Sequence, residues 1–169
     1  MKIFAVMPCY KTGENAFYLA KECLKYVDKV ICVDDNCPQM TGKLIEDLKT
    51  NSDICVLFHK INKGVGGATK TGIKYALDQG AEIVVKIDSD GQMIPELIPK
   101  LVQPIIDQMG EFTKGNRFRS IDVFKRMPKV RLFGNIGLGF LTKLSTGYWE
   151  LFDPTNGFLA IHKNVLKRI

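Results

Sequence analysis

Short apolar runs alternate with stretches of helical spacing along this chain, and that alternation limits the possible folds more than any other feature. Ile3 to Met7 reads as a strand, and Ala16 to Val27 then places Phe17, Ala20, Cys23, Leu24 and Val27 at helical spacing. Val30 to Val33 is a second strand. Thr41 to Lys49 is a second helix, with Thr41 as its expected N-cap. Ile54 to Phe58 is a third strand, followed by a helix over Val65 to Leu77 that is expected to bury Val65, Ala68, Ile73, Ala76 and Leu77. Glu82 to Ile87 is the fourth strand, and Pro95 to about Gln108 is helical, with a kink expected at Pro104. Strand–helix alternation of this kind builds βαβ units, hence an α/β fold with a parallel sheet and helices on both faces. A chain of 169 residues is long enough for one such domain with a substantial core.

A parallel sheet binds its ligands outside the carboxyl ends of its strands. The loops leaving those ends are Pro8-Cys9-Tyr10, Asp34-Asp35-Asn36, Asn62-Lys63-Gly64 and Asp88-Ser89-Asp90. All four are polar or turn-forming, and two carry paired carboxylates. Asp88-Ser89-Asp90-Gly91-Gln92 admits two readings: a solvated turn, since Asp, Ser and Gly are turn residues, or a seat for a divalent cation. The dinucleotide fingerprint G-x-G-x-x-G is missing after the first strand, where "MPCYKTGEN" stands, and no G-x-x-x-x-G-K-[ST] occurs. Without either device, phosphates are left to a metal held on carboxylates, which suits Asp88 and Asp90.

Charge is unevenly placed. Residues 1–111 hold 13 Lys/Arg against 15 Asp/Glu, whereas residues 112–169 hold 11 against 3. The positive second part points to an anionic partner, such as phosphates or a lipid surface, or else to a solvated basic face. It lacks the aromatic-interleaved basic platform of a nucleic-acid binder, so no nucleic-acid partner is expected. Five cysteines without a C-x-x-C pair read as buried thiols of a reducing compartment. His59 and His162 are too scattered for a histidine metal site and read as structural. The N-terminus has no signal-peptide pattern, and no apolar run approaches the roughly 20 residues that span a bilayer.

The ordered set "MPCYKTGEN", "VDDN", "NKGVGGATKTGI", "KIDSDGQ", "KGNRF" and "DPTNGF" resembles the family 2 glycosyltransferases of the GT-A fold. Within that family it is most similar to the polyprenyl-phosphate sugar transferases, and the likeness covers almost the whole chain. The resemblance implies a GT-A, Rossmann-like and mostly parallel sheet. It also implies an enzyme that moves a hexose from a UDP- or GDP-sugar to a polyprenyl phosphate, with inversion. Residues 1–169 are expected to be a single catalytic domain, cut short at the C-terminus, working at or anchored to the cytoplasmic membrane face.

By the same resemblance Pro8 and Tyr10 shape the base pocket, Asp35 accepts a hydrogen bond from the base, and Asp34 orients that loop. Asn62, Lys63 and Gly64 let the backbone pass close to the nucleotide and begin a helix whose N-terminus favours negative charge. Asp88 and Asp90 hold Mg²⁺ or Mn²⁺, with Gln92 as a further oxygen ligand. Arg117 and Arg131 match the arginines that take the acceptor phosphate, a task suited to a planar fork; the competing reading for each is a surface arginine. Asp153 is either a general base for a hydroxyl acceptor or, with an already ionised phosphate acceptor, a positioning and electrostatic residue. Residues 128–147 suit a helix lying at a membrane interface or a core helix. Two positions depart from the family pattern: Asn36 replaces a Gly, and Leu159 replaces a frequent Arg. The rival functions are transfer to a polysaccharide or glycolipid hydroxyl, and a non-catalytic nucleotide-binding or membrane-docking module.

Overall fold

Each of the four apolar runs becomes a strand, and alternation along each strand divides its side chains between two helical layers. The computed structural model describes residues 1–50, 52–116, 129–147 and 156–167, with only part of the side chains over 129–146. The strands are β1 (Ile3–Cys9), β2 (Lys29–Asp34), β3 (Ile54–Phe58), β4 (Ile83–Lys86), β5 (Phe112–Lys114) and β6 (Leu159–His162). They form one sheet in the order β3-β2-β1-β4-β6-β5. β1 pairs in parallel with β2 and β4, and β2 with β3, whereas β6 runs antiparallel to β4. The helices are α1 (Asn15–Cys23), α2 (Thr41–Leu48), α3 (Gly64–Asp78), α4 (Ile98–Ile106), α5 (Lys129–Thr146) and α6 (Lys163–Leu166).

Ala5, Met7 and Cys9 of β1 face one layer, where Ala16, Ala20, Ile45, Ile98, Leu101 and Val102 of α1, α2 and α4 complete the larger core. Phe4 and Val6 face the other, with Ile31, Val33 and Val84, against Ala68 and Ala76 of α3. Each fully buried aliphatic side chain here contributes about 1.5–3 kcal/mol, so packing on both faces fixes the register of the central strands. The crossover to the second face comes between β3 and β4, which leaves β1 beside β4 at the point where strand order reverses. That is where an open α/β sheet offers a crevice. The chain separates into two compact units, 1–113 with 158–169, and 114–157. The first holds the sheet apart from the last residue of β5; the second contains α5.

Several expectations need correction. Thr41 is the first helical residue of α2, not its N-cap; Met40 precedes it with φ +51°. Asp34 serves both the first turn of α2 and the loop before it: its Oδ2 accepts from Gly42 N–H (2.6 Å) and its Oδ1 from Cys37 N–H (2.7 Å). Asp34 therefore orders its own loop, as expected of it. Val65 is 61% exposed, not buried, because it stands in the first turn of α3, ahead of the stripe that reaches the sheet. The sheet-facing position that spacing overlooked is Gly72, which lies against Val6 and Val33. α1 ends at Cys23 and continues to the buried Val27 only as turns, while α4 is entered through a 3₁₀ turn at Pro95–Leu97. Asn36, in the place of a Gly, does adopt φ +54°.

Candidate active site

Four strand ends converge on one open cleft of about 360 Å³ at the β1/β4 crevice. Pro8, Cys9, Tyr10 and Thr12 line it from the end of β1, Asp35 from β2, Asn62, Gly64, Val65 and Ala68 from the β3–α3 junction, and Asp88, Ser89 and Asp90 from β4. Seven of the residues picked from sequence thus meet: Pro8, Tyr10, Asp35, Asn62, Gly64, Asp88 and Asp90. Lys63 does not line the cleft; its backbone N–H donates to Asp35 Oδ1 at 2.8 Å. Gln92 is exposed outside the cleft wall, and its N–H donates to Asp90 Oδ1 at 3.0 Å, closing a turn over Gly91 at φ +77°. Arg117 and Asp153 lie outside the described residues. Arg131 falls on α5, but its side chain is likewise outside them.

Asp35 is almost fully buried and tightly held. Its Oδ1 also receives His59 Nδ1 at 2.6 Å, and His59 Nε2 meets Thr71 Oγ1 at 2.9 Å. Burial alone would push the Asp35 carboxyl up. The bonds from His59 and the Lys63 N–H outweigh it and hold the carboxyl below the ordinary carboxylate range. Asp35 is therefore an ionised, acceptor-only group at neutral pH. The sequence alone presents His59 as a structural residue. The signal that finds it is register: Asp34 pairs with Phe58 across β2 and β3, so Asp35 and His59 are the next neighbours along the same two strands.

Around the second carboxylate pair the contacts are of another kind. The buried Lys86 at the end of β4 places its ammonium on Asp88 Oδ1, a contact that sequence reading missed. Ser89, also buried, donates to Pro8 O at 2.7 Å and accepts from Thr12 Oγ1 at 3.2 Å, stitching the β4 loop to the end of β1. Asn62 Oδ1 accepts from Gly64 N–H at 3.0 Å, and Gly64 holds φ +73°, a conformation that disfavours any side chain, at the first residue of α3. Cys37 ties the β1 and β2 loops together: its buried Sγ accepts from Lys11 N–H (3.0 Å) and lies 3.2 Å from Thr41 Oγ1. Burial would raise that thiol, but these donors lower it below its ordinary value.

Among the described residues no three His, Cys, Asp or Glu side chains cluster closely enough to cage a metal ion. Asp88 and Asp90 offer a two-carboxylate edge on an open cleft. Mg²⁺-like ions accept that donor set, completing their shell with substrate phosphate oxygens and water. The residues present therefore fit a cation that arrives with a phosphorylated ligand.

Comparison with known proteins agrees with this geometry. The family model described as glycosyl transferase family 2 matches residues 5–169. A UDP-N-acetylglucosamine–dolichyl-phosphate N-acetylglucosaminyltransferase of Methanococcus voltae is 35% identical over 98% of this chain and 71% of its own length. A polyprenol monophosphomannose synthase of Mycolicibacterium smegmatis is 25% identical over 99% of the chain and 64% of its own. Among solved structures, a Pyrobaculum calidifontis mannosyltransferase in complex with GDP-Man and Mn²⁺ superposes with a TM-score of 0.61. It is 16% identical and covers 99% of this chain, which spans 46% of that protein. The S. aureus TarS 1–349 structure with UDP-GlcNAc gives 0.54 at 19% identity, over 66% of this chain and 33% of that one. With its GT-A sheet and a family match running from residue 5 to residue 169, the chain belongs to glycosyl transferase family 2.

Proposed function

We propose that this chain is the catalytic domain, over residues 1–169, of an inverting glycosyltransferase that moves a hexose from a nucleotide sugar to a polyprenyl phosphate. The observation that carries the reading is the meeting of Asp35, Asn62, Gly64, Asp88 and Asp90 on one cleft at the reversal point of the sheet. Pro8 and Tyr10 wall the base, and Asp35 accepts a hydrogen bond from it. The N-terminus of α3, opened by Gly64, favours the negative charge of the diphosphate. Asp88 and Asp90, with Gln92 in reach of the same turn, would hold Mg²⁺ or Mn²⁺, which when bound supplies Lewis-acid neutralisation of the departing nucleoside diphosphate. Lys86 holds Asp88 in place in that edge.

A polyprenyl phosphate is ionised near neutral pH and needs no general base. Its oxygen forms the bond to the anomeric carbon as the bond to the nucleoside diphosphate breaks on the opposite face. Asp153 then positions the acceptor, and Arg117 and Arg131 bind its phosphate, roles that rest on the motif likeness alone. Relatives whose names carry dolichyl phosphate, dolichol phosphate or polyprenol monophosphomannose support the acceptor class. Among the described residues no helix is long and apolar enough to cross a membrane. α5 nonetheless exposes Leu138, Phe140, Leu141 and Leu144, which supports peripheral docking of the second unit on the cytoplasmic membrane face.

The test is turnover. Purified protein is incubated with UDP-GlcNAc or GDP-mannose, Mn²⁺ and a short-chain polyprenyl phosphate, and the lipid is analysed by mass spectrometry. A sugar-1-phosphate polyprenol with inverted anomeric configuration is expected. Free sugar only, or transfer solely to an added glycan hydroxyl, would overturn the acceptor assignment.

A further inference from the structure

His59 belongs to none of the motifs by which the chain was read, yet it makes the shortest contact to Asp35, the cleft's buried carboxylate. It is itself buried, 9% exposed, at the end of β3. An ionised carboxylate only accepts, so the proton between them sits on His59 Nδ1. The far ring nitrogen meets Thr71 Oγ1, and Thr71 stands on the sheet-facing side of α3, one residue before Gly72. Thr71 and Asp35 thus grip the ring at both ends and fix its rotation.

This grip divides the two carboxylate oxygens. Oδ1 receives both His59 Nδ1 and Lys63 N–H. The Gly64 N–H, which also stands near this carboxylate, donates to Asn62 Oδ1 at 3.0 Å. No hydrogen bond of ordinary geometry reaches Oδ2 among the described residues, and no fully buried side-chain oxygen there lacks a partner. Oδ2 therefore has its small exposure on the cleft that Asp35 lines. A ligand meets one acceptor atom and not a two-oxygen fork. Uracil presents one N–H, flanked by two carbonyls, to such an atom. Guanine presents two adjacent donors, N1–H and the 2-amino group, which call for both oxygens of a carboxylate. Cytosine and adenine put a bare ring-nitrogen lone pair at that place, which an acceptor repels.

We infer that His59, braced by Thr71, is a positioning residue that occupies one oxygen of Asp35 and so selects a uridine over a guanosine diphosphate donor. The inference rests on the reading of Asp35 as the acceptor for the base. Losing a hydrogen bond to a charged group corresponds to roughly tenfold or more in affinity.

The experiment titrates UDP and GDP, each with Mn²⁺, into the wild-type chain and into His59→Leu, Thr71→Val, Thr71→Ser and Asp35→Asn, with folding checked by circular dichroism. Wild type is expected to bind UDP more tightly than GDP. His59→Leu opens Oδ1 to the guanine 2-amino group, so GDP should tighten relative to UDP and the ratio should narrow roughly tenfold, the value of one hydrogen bond to a charged acceptor. Thr71→Val should move the same way by a smaller factor, and Thr71→Ser, which keeps the hydroxyl, should restore the ratio. A change in the UDP/GDP ratio is a readout that mere loss of stability would not produce. Tighter GDP than UDP binding in wild type would overturn the inference. So would an unchanged ratio in folded His59→Leu or, should that variant not fold, in Thr71→Val. Asp35→Asn separates the two levels: if it leaves UDP affinity unchanged, the base-acceptor reading itself falls, and the role of His59 with it.

Discussion

Gly72→Ala is the substitution whose consequence follows most directly from the packing of α3 on the sheet. A Cβ built at Gly72 would lie 2.4 Å from Val6 Cγ1 and 3.1 Å from Val33 Cγ2. Carbon atoms pack at about 3.5–4.0 Å, so the first contact must open by more than 1 Å. Val6 is fully buried in the central strand, and its β-branched side chain has few rotamers to escape into. Overpacking of this kind costs about 1–3 kcal/mol, and so severe a contact belongs at the upper end. Against it stands the better helix propensity of alanine, at most about 1 kcal/mol. The net expectation is a loss of about 2 kcal/mol, equivalent to a fall in Tm of about 4–8 °C for a chain of this size. Gly66 in the same helix is the control: a Cβ there meets nothing within 4 Å, so Gly66→Ala should be neutral or gain up to about 1 kcal/mol. Urea unfolding of the three proteins checks both signs. If Gly72→Ala is as stable as wild type, α3 does not sit on β1 and β2 as described, and the placing of Gly64 at the cleft and of Thr71 against His59 loses its support.

Asp34→Ala should cost about 3 kcal/mol or more in the same assay, because it leaves the Cys37 and Gly42 N–H groups without their charged acceptor. The Asp35 carboxyl is depressed in the folded chain, so its stabilisation is present above the unfolded value of about 3.9 and is lost as pH falls through the lower folded value. Asp35→Asn should therefore be less stable than wild type at pH 7, with the difference shrinking below about pH 4. Burial pushes the Cys23 thiol up to about 12, so iodoacetamide at pH 8 should leave Cys23 unmodified in the native chain and label Cys55, which is partly exposed, first. Peptide mapping by mass spectrometry reads the order.

What was legible in the sequence, and what was not, follows the range of the interactions concerned. β1 to β4 and the rim they share could be read because buried parallel strands are short apolar runs, and their loops must emerge at one end. β6 escaped because Leu159–His162 is only four residues of mixed character, and its antiparallel place between β4 and β5 is set by partners in β4 more than 70 residues away. Val65 was misassigned because helical spacing does not say which turn first reaches the sheet. Asp35 and Asp88 were found as members of acidic pairs. Their partners, His59 and Lys86, were not: a lone histidine or lysine carries no pattern until strand register puts it beside a carboxylate.

The central claim is that the cleft binds a nucleotide sugar through a cation on Asp88 and Asp90. Its most direct test is isothermal titration of UDP-sugars into the purified chain with Mn²⁺ and again with excess chelator, for wild type and Asp90→Ala. The account predicts binding with Mn²⁺ that weakens roughly tenfold or more with chelator and in Asp90→Ala, a loss of at least about 1.4 kcal/mol. Equal affinity with and without the metal, unchanged in folded Asp90→Ala, would contradict it.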